Sequence, residues 1–117
     1  MNITANTSCA AVIGHPIGHS LSPGLHNKIY QTLGLDIAYM AFDITGDNFA
    51  KAVEGLGALG FIGFNVTIPY KEKIIDYLDL VDPTAAAIGA VNTVKVDKGR
   101  LIGYNTDGLG FLHSLNV

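Results

Sequence analysis

Short apolar runs alternate with stretches of helical period along this chain of 117 residues. After a polar lead over residues 1–8, Cys9 to Ile13 is an apolar run that ends at Gly14-His15-Pro16, the pattern of a buried strand stopped by a turn. Ser22-Pro23 then places a capping hydroxyl before a proline, and Leu25, Ile29, Tyr30 and Leu33 recur at helical spacing until Gly34, which predicts a helix with those residues on its core face. Ile37 to Ile44 predicts a second strand. Asp47 can cap a helix whose apolar members Phe49, Val53, Leu56 and Leu59 keep the period until Gly60 closes it.

Phe61 to Thr67 is β-rich and leads through Pro69 into a predicted helix from about Tyr70 to Leu78. Asp82-Pro83 starts a short Ala-rich helix. Val91 to Val96 and Leu101 to Tyr104 flank Asp97-Lys98-Gly99-Arg100 as a hairpin. From Thr106 the pattern turns helical again, with Leu109, Leu112 and Leu115 on related faces. The expectation is an α/β domain over residues 9–105, built on a mixed, largely parallel sheet flanked by helices, followed over 106–117 by the start of a helix cut off in mid-element.

Hydrophobic residues at 49% and charged residues at 15% supply ample core and no sign of disorder. A net charge of -3 with the basic residues dispersed argues against nucleic acid and anionic membranes. No apolar run approaches the roughly 20 residues of a membrane span, and a lone cysteine, Cys9, with no apolar leader points to a reducing cytoplasm. A small-molecule partner fits this balance better than a macromolecule.

In such sheets ligands collect beyond the carboxyl ends of the strands, so the strand-to-helix turns are where chemistry is expected. The first turn places Ser20 and Ser22 at the mouth of a helix, where hydroxyls and unpaired N–H groups suit an anion; locally, Ser22 reads equally as a cap and Ser20 as a turn residue. In Asn65-Val66-Thr67-Ile68-Pro69-Tyr70-Lys71, period-two alternation sends Asn65 and Thr67 to one side as the strand ends. Lys71 follows in the first helical turn, where a cation opposes the dipole; its plain alternative is a solvated lysine beside Glu72 and Lys73. Asn92, entering the hairpin, can donate to and accept from a polyol. Asp107, leaving it, is either a cap or, if it meets Lys71 across a cleft, half of a pair that shares a proton.

Gly55-Leu56-Gly57-Ala58-Leu59-Gly60 spells the dinucleotide fingerprint, but a helix precedes it and a strand follows, the reverse of the order that brings a pyrophosphate to a helix N-terminus. It reads as a glycine-rich helix exit. His15, His19, His26 and His113 lack partners at metal-ligand spacing, so no metal is expected.

Four strings in register, S-x-S-P-x-x-H-N at Ser20 to Asn27, N-V-T-x-P-x-K at Asn65 to Lys71, G-A-V-N-T at Gly89 to Thr93 and N-T-D-G at Asn105 to Gly108, resemble the shikimate dehydrogenase family, from about Ala11 to Leu115. The resemblance implies that Ser20 and Ser22 bind the carboxylate of shikimate, that Asn65, Thr67 and Asn92 hold its ring hydroxyls, and that Lys71 and Asp107 form the catalytic pair for reversible reduction of 3-dehydroshikimate by NADPH. It also implies a Rossmann-type NADP domain and a returning helix that this chain does not contain. The expectation is therefore a fragment inactive alone, without NADP binding, and prone to self-association through an uncovered apolar strip. A non-catalytic shikimate or quinate binder, and a quinate-preferring dehydrogenase, stand as alternatives.

Overall fold

The computed structural model describes residues 2–107. Its strands are β1 (Ser8–Gly14), β2 (Ile37–Asp43), β3 (Gly63–Val66), β4 (Leu80–Val81), β5 (Thr93–Asp97) and β6 (Arg100–Tyr104). They form one six-stranded sheet in the order β2-β1-β3-β5-β6-β4. β1 sits between two parallel partners, in register from Ser8 opposite Ile37 to Gly14 opposite Asp43, and from Ala10 opposite Gly63 to Ile13 opposite Val66. β5 runs antiparallel to both β3 and β6. The expected mixed sheet is present, with one addition: β4 has only two residues, too few for any periodicity to announce it. The hairpin turns on Lys98 and Gly99, both at positive φ (52° and 80°), the pairing whose twist matches the flanking strands.

One face of the sheet carries the main core. Phe49, Ile13, Ile74, Val53, Val66, Val91 and Val94 have fully buried side chains, and α2 (Phe49–Ala58) contributes Phe49, Val53 and Leu56 to that layer. The Phe49 ring lies 4.4 Å from Tyr70 and 5.2 Å from Tyr77, centroid to centroid. Two expectations fail here. Asp47 does not cap α2, because it lies inside a 3-10 turn over Gly46–Asn48. Leu59 is 78% exposed, since α2 ends at Ala58 and Gly60 turns the chain away at φ 76°. The glycine-rich string is a helix exit, as its order implied.

The helix predicted from Tyr70 to Leu78 is a five-residue 3-10 helix over Lys73–Tyr77. One α-type bond forms, from the Ile74 N–H to the Tyr70 carbonyl (3.0 Å), but the next carbonyl, that of Lys71, accepts from the Val91 N–H (2.8 Å) and the Ile75 N–H turns back to Glu72 (3.2 Å), so the ladder goes on as a 3-10 helix. Lys71 therefore lies in the turn before a short 3-10 segment and not in an α-helical first turn, which removes the dipole rationale for its placement. α3 (Pro83–Ile88) matches expectation: the Asp82 carboxylate accepts from the Thr84 N–H at 3.0 Å, and Gly89 ends the helix at φ 79°.

The opposite face is built differently. α1 (Ser22–Thr32) has no buried residue. Leu25, Ile29 and Leu33, expected on its core face, are exposed to 60%, 46% and 65%. The partly buried side is instead Ser22, Pro23, His26, Asn27 and Tyr30. The helix is thus rolled so that polar side chains face the sheet. Beneath it lies a small cluster of Ala10, Val12, Ile17 and Tyr39, with Tyr30, Ile37 and Ala41 packed around it.

Candidate active site

The carboxyl ends of β1, β3 and β6 and the start of the antiparallel β5 fall at one end of the sheet. All four motif-bearing turns leave or enter there, and sequence-distant side chains meet as a result. Lys71 Nζ and Asp107 Oδ2 are 3.9 Å apart, the lysine side chain 41% and the aspartate 79% exposed. Asn92 is strung between two strands: its N–H donates to the Tyr104 carbonyl (3.0 Å) and its carbonyl accepts from the Val66 N–H (2.9 Å). Its side-chain Oδ1 accepts from the Thr93 hydroxyl (2.9 Å) and from both the N–H (3.0 Å) and hydroxyl (3.2 Å) of Thr106, the residue preceding Asp107. With the oxygen so engaged, the Nδ2 hydrogens of Asn92 are the part left to offer a ligand.

Ser20, Ser22 and Thr67 line a cavity of about 280 Å³, together with His15, His19 and Ile68. The volume suits a small ligand rather than a dinucleotide. Ser22 is the first residue of α1 and makes no cap bond, because Leu21 occupies the cap position; the Ser20 hydroxyl accepts from the Ser22 N–H at 3.2 Å. The capping role that competed for Ser22 is therefore absent, and its hydroxyl stays in the cavity wall. Gly14 makes room for Thr67: a Cβ on it would come within 2.5 Å of the Thr67 methyl carbon. His15 on the same wall is held by Asp43, Nδ1 to Oδ1 2.6 Å.

Asn65 stands apart from that cavity. Its Oδ1 accepts from the Tyr39 hydroxyl (2.7 Å), and its Nδ2 donates to the Thr93 hydroxyl (3.1 Å) and the Asn92 carbonyl (3.4 Å). Tyr39 is the residue sequence reasoning missed. It lies in mid-strand, where nothing marks it as functional, yet its phenol bridges toward the site. Burial chiefly, with the Tyr30 phenol adding to it and the nearby Ser22 hydroxyl opposing, pushes Tyr39 up from 10.0 to about 12. Thr93 and Thr106 were also passed over, although both stand inside quoted strings.

Hydroxyls around a small cavity, amide groups beside it, and an ammonium facing a carboxylate define a substrate-binding α/β domain suited to acid–base chemistry on an oxygenated, anionic small molecule. Residues 12–94 match the family model described as the shikimate dehydrogenase substrate binding domain, and the chain belongs to that family. It is 51% identical over 115 residues to the shikimate dehydrogenase (NADP(+)) of Citrifermentans bemidjiense, an alignment covering 98% of this chain and 40% of that protein. The crystal structure of the Aquifex aeolicus shikimate dehydrogenase superposes with a TM-score of 0.91 at 51% identity, covering 97% of this chain and 43% of that one. That of the Listeria monocytogenes shikimate 5-dehydrogenase, in complex with shikimate and NAD, does so at 0.92 and 42% identity, covering 99% and 40%. The chain thus spans about 40% of the length of the curated relatives it matches.

Proposed function

We propose that this domain is the substrate-binding and catalytic half of an NADP-dependent shikimate dehydrogenase, which interconverts 3-dehydroshikimate and shikimate in aromatic amino acid biosynthesis in the cytoplasm. The observation that carries the proposal is the Lys71–Asp107 approach at 3.9 Å beside Asn92, at the same sheet end as the hydroxyl-lined cavity. Ser20 and Ser22 bind the substrate carboxylate. Thr67 and the Nδ2 group of Asn92 hold ring hydroxyls, and Asn65, whose Nδ2 hydrogens go to Thr93 and Asn92, offers them the second lone pair of its Oδ1.

NADPH supplies the hydride. The described residues offer it no phosphate loop, because the glycine-rich string runs from helix to strand, so the dinucleotide belongs to the rest of the enzyme. The chemistry of this chain is proton transfer and positioning. Lys71, as the ammonium, donates to the oxygen of the ketone as that oxygen gains negative charge, and accepts the proton back from the shikimate hydroxyl in reverse. The Asp107 carboxylate orients the amine and hydrogen bonds the same hydroxyl. A neutral lysine left after donation recovers its proton from water, which the exposure of both side chains allows.

A calorimetric titration of the chain with shikimate, with quinate and NADPH titrated separately, tests the binding half. Saturable shikimate binding without NADPH binding is expected, and binding of quinate in its place would move the substrate. In a protein joining this chain to the remaining length of a relative, Lys71→Ala should lower turnover roughly 100- to 10,000-fold with little change in substrate affinity. Turnover equal to the parent would remove Lys71 from the chemistry, whereas a parent that binds shikimate without turning it over would favour a binding module.

A further inference from the structure

The S-x-S-P-x-x-H-N string contains two residues, His26 and Asn27, to which neither the substrate nor the proton transfer assigns a task. In the fold they converge on Tyr39. The Asn27 Nδ2 donates to the Tyr39 carbonyl at 2.9 Å, and its Oδ1 accepts from the Tyr39 N–H at 2.8 Å. A residue in a parallel strand directs its N–H and C=O to the same neighbour. The Tyr39 pair points away from β1, on the open edge of the sheet, because β2 is the outermost strand. One carboxamide thus replaces the missing strand at this residue. The His26 ring stacks on the Tyr39 ring, with centroids 4.1 Å apart and planes at 23°.

Beyond Tyr39 the chain of contacts continues into the site. Its phenol holds the Asn65 carboxamide at 2.7 Å, Asn65 reaches Thr93 at 3.1 Å, and Thr93 reaches Asn92 at 2.9 Å. Asn92 in turn holds Thr106, next to Asp107. At its other end the same clamp fixes α1, whose first residue is Ser22. Asn27 therefore sets how far the serine wall stands from the amide wall. Such use of α1 accounts for its roll: a helix that merely covered the sheet would bury Leu25 and Ile29, whereas this one spends its inner face on His26, Asn27 and Tyr30.

We infer that Asn27 is a positioning residue for the substrate site, acting through the Tyr39 phenol on Asn65 rather than by touching substrate. The inference rests on the shikimate reading above. Its test is a double-mutant cycle in the joined two-domain protein, with the KM values for shikimate and NADP and turnover measured for Asn27→Asp, Tyr39→Phe and the pair. Aspartate keeps the shape of Asn27 but sets a carboxylate oxygen where the carboxamide donated to the Tyr39 carbonyl.

Each single change should raise the KM for shikimate about 10-fold, leave that for NADP unchanged, and in combination do no worse than about twice the poorer single variant. Multiplying effects, or an Asn27→Asp protein with the parent's KM, would overturn the inference while leaving the substrate assignment standing. A parent protein that neither binds nor turns over shikimate would remove both. If Asn27→Asp does not fold, Asn27→Ser, too short to span both backbone groups, enters the same cycle with the same expected and overturning results.

Discussion

The two faces of the sheet obey different rules. Under α2 the core is complete: apolar side chains at helical spacing meet apolar strand residues, and Phe49, Val53 and Ile74 are closed off from water. Under α1 the cluster is small, polar side chains point inward, and Leu21, Leu25, Ile29 and Leu33 form a row at spacing four on the outside. The difference teaches that stability and recognition have been separated. One face holds the domain together, and the other carries the residues that wall the cavity proposed to take substrate, at the cost of leaving an apolar strip outward.

The largest effect should come from the finished face. Phe49→Ala removes a ring with no exposure that packs on Tyr70 and Tyr77, and should cost about 3–5 kcal/mol by denaturant unfolding, a large share of the roughly 5–15 kcal/mol that holds a domain folded. A loss under about 1 kcal/mol would mean that the α2 face is not the main source of stability.

An intermediate effect should appear at alkaline pH on the other face. The Tyr39 phenol is raised from 10.0 to about 12, mainly by burial. The folded state therefore holds this proton more tightly than the unfolded chain. The stability tied to it is fully present below pH 10 and is lost as pH rises toward 12, by up to about 2 kcal/mol. Comparing unfolding of the parent and Tyr39→Phe across that window should show the parent losing stability more steeply. Parallel curves would mean that the phenol titrates alike folded and unfolded.

The smallest effect on stability, about 0.5 kcal/mol or less, is expected from Leu25→Lys, because the side chain is 60% exposed. Its value lies elsewhere. If the outward row drives self-association of this chain, sedimentation should show the parent associating with concentration and the variant remaining monomeric. A parent that is monomeric at all concentrations would show that the row does not drive association.

The sequence made much of this molecule readable. The positions of the five longer strands, the hairpin, the Asp82 cap and the exit at Gly60 follow from local periodicity and turn chemistry, which need no knowledge of distant residues. The candidate site was legible as a set of strings, because Ser20, Ser22, Asn65, Thr67, Lys71, Asn92 and Asp107 sit at or beside the punctuation between elements, where side chains can serve a ligand. Tyr39 was not legible, since a tyrosine in a strand has the same local signature whether it fills a core or holds an asparagine.

Local pattern by itself thus determined which segments become strands and which turns carry polar chemistry. Only the tertiary structure decided how those parts face one another. The roll of α1 is set by a clamp between Asn27 and Tyr39, twelve residues apart. At Lys73–Tyr77 the Lys71 carbonyl serves the Val91 N–H and the α-type ladder stops at Ile74, and Thr106 engages the side-chain oxygen of Asn92, so that its Nδ2 is the group left to offer a ligand. In each case a hydrogen bond from another segment overrode the local preference. Periodicity records whether a residue is apolar; it carries no information about which polar group will arrive to meet it.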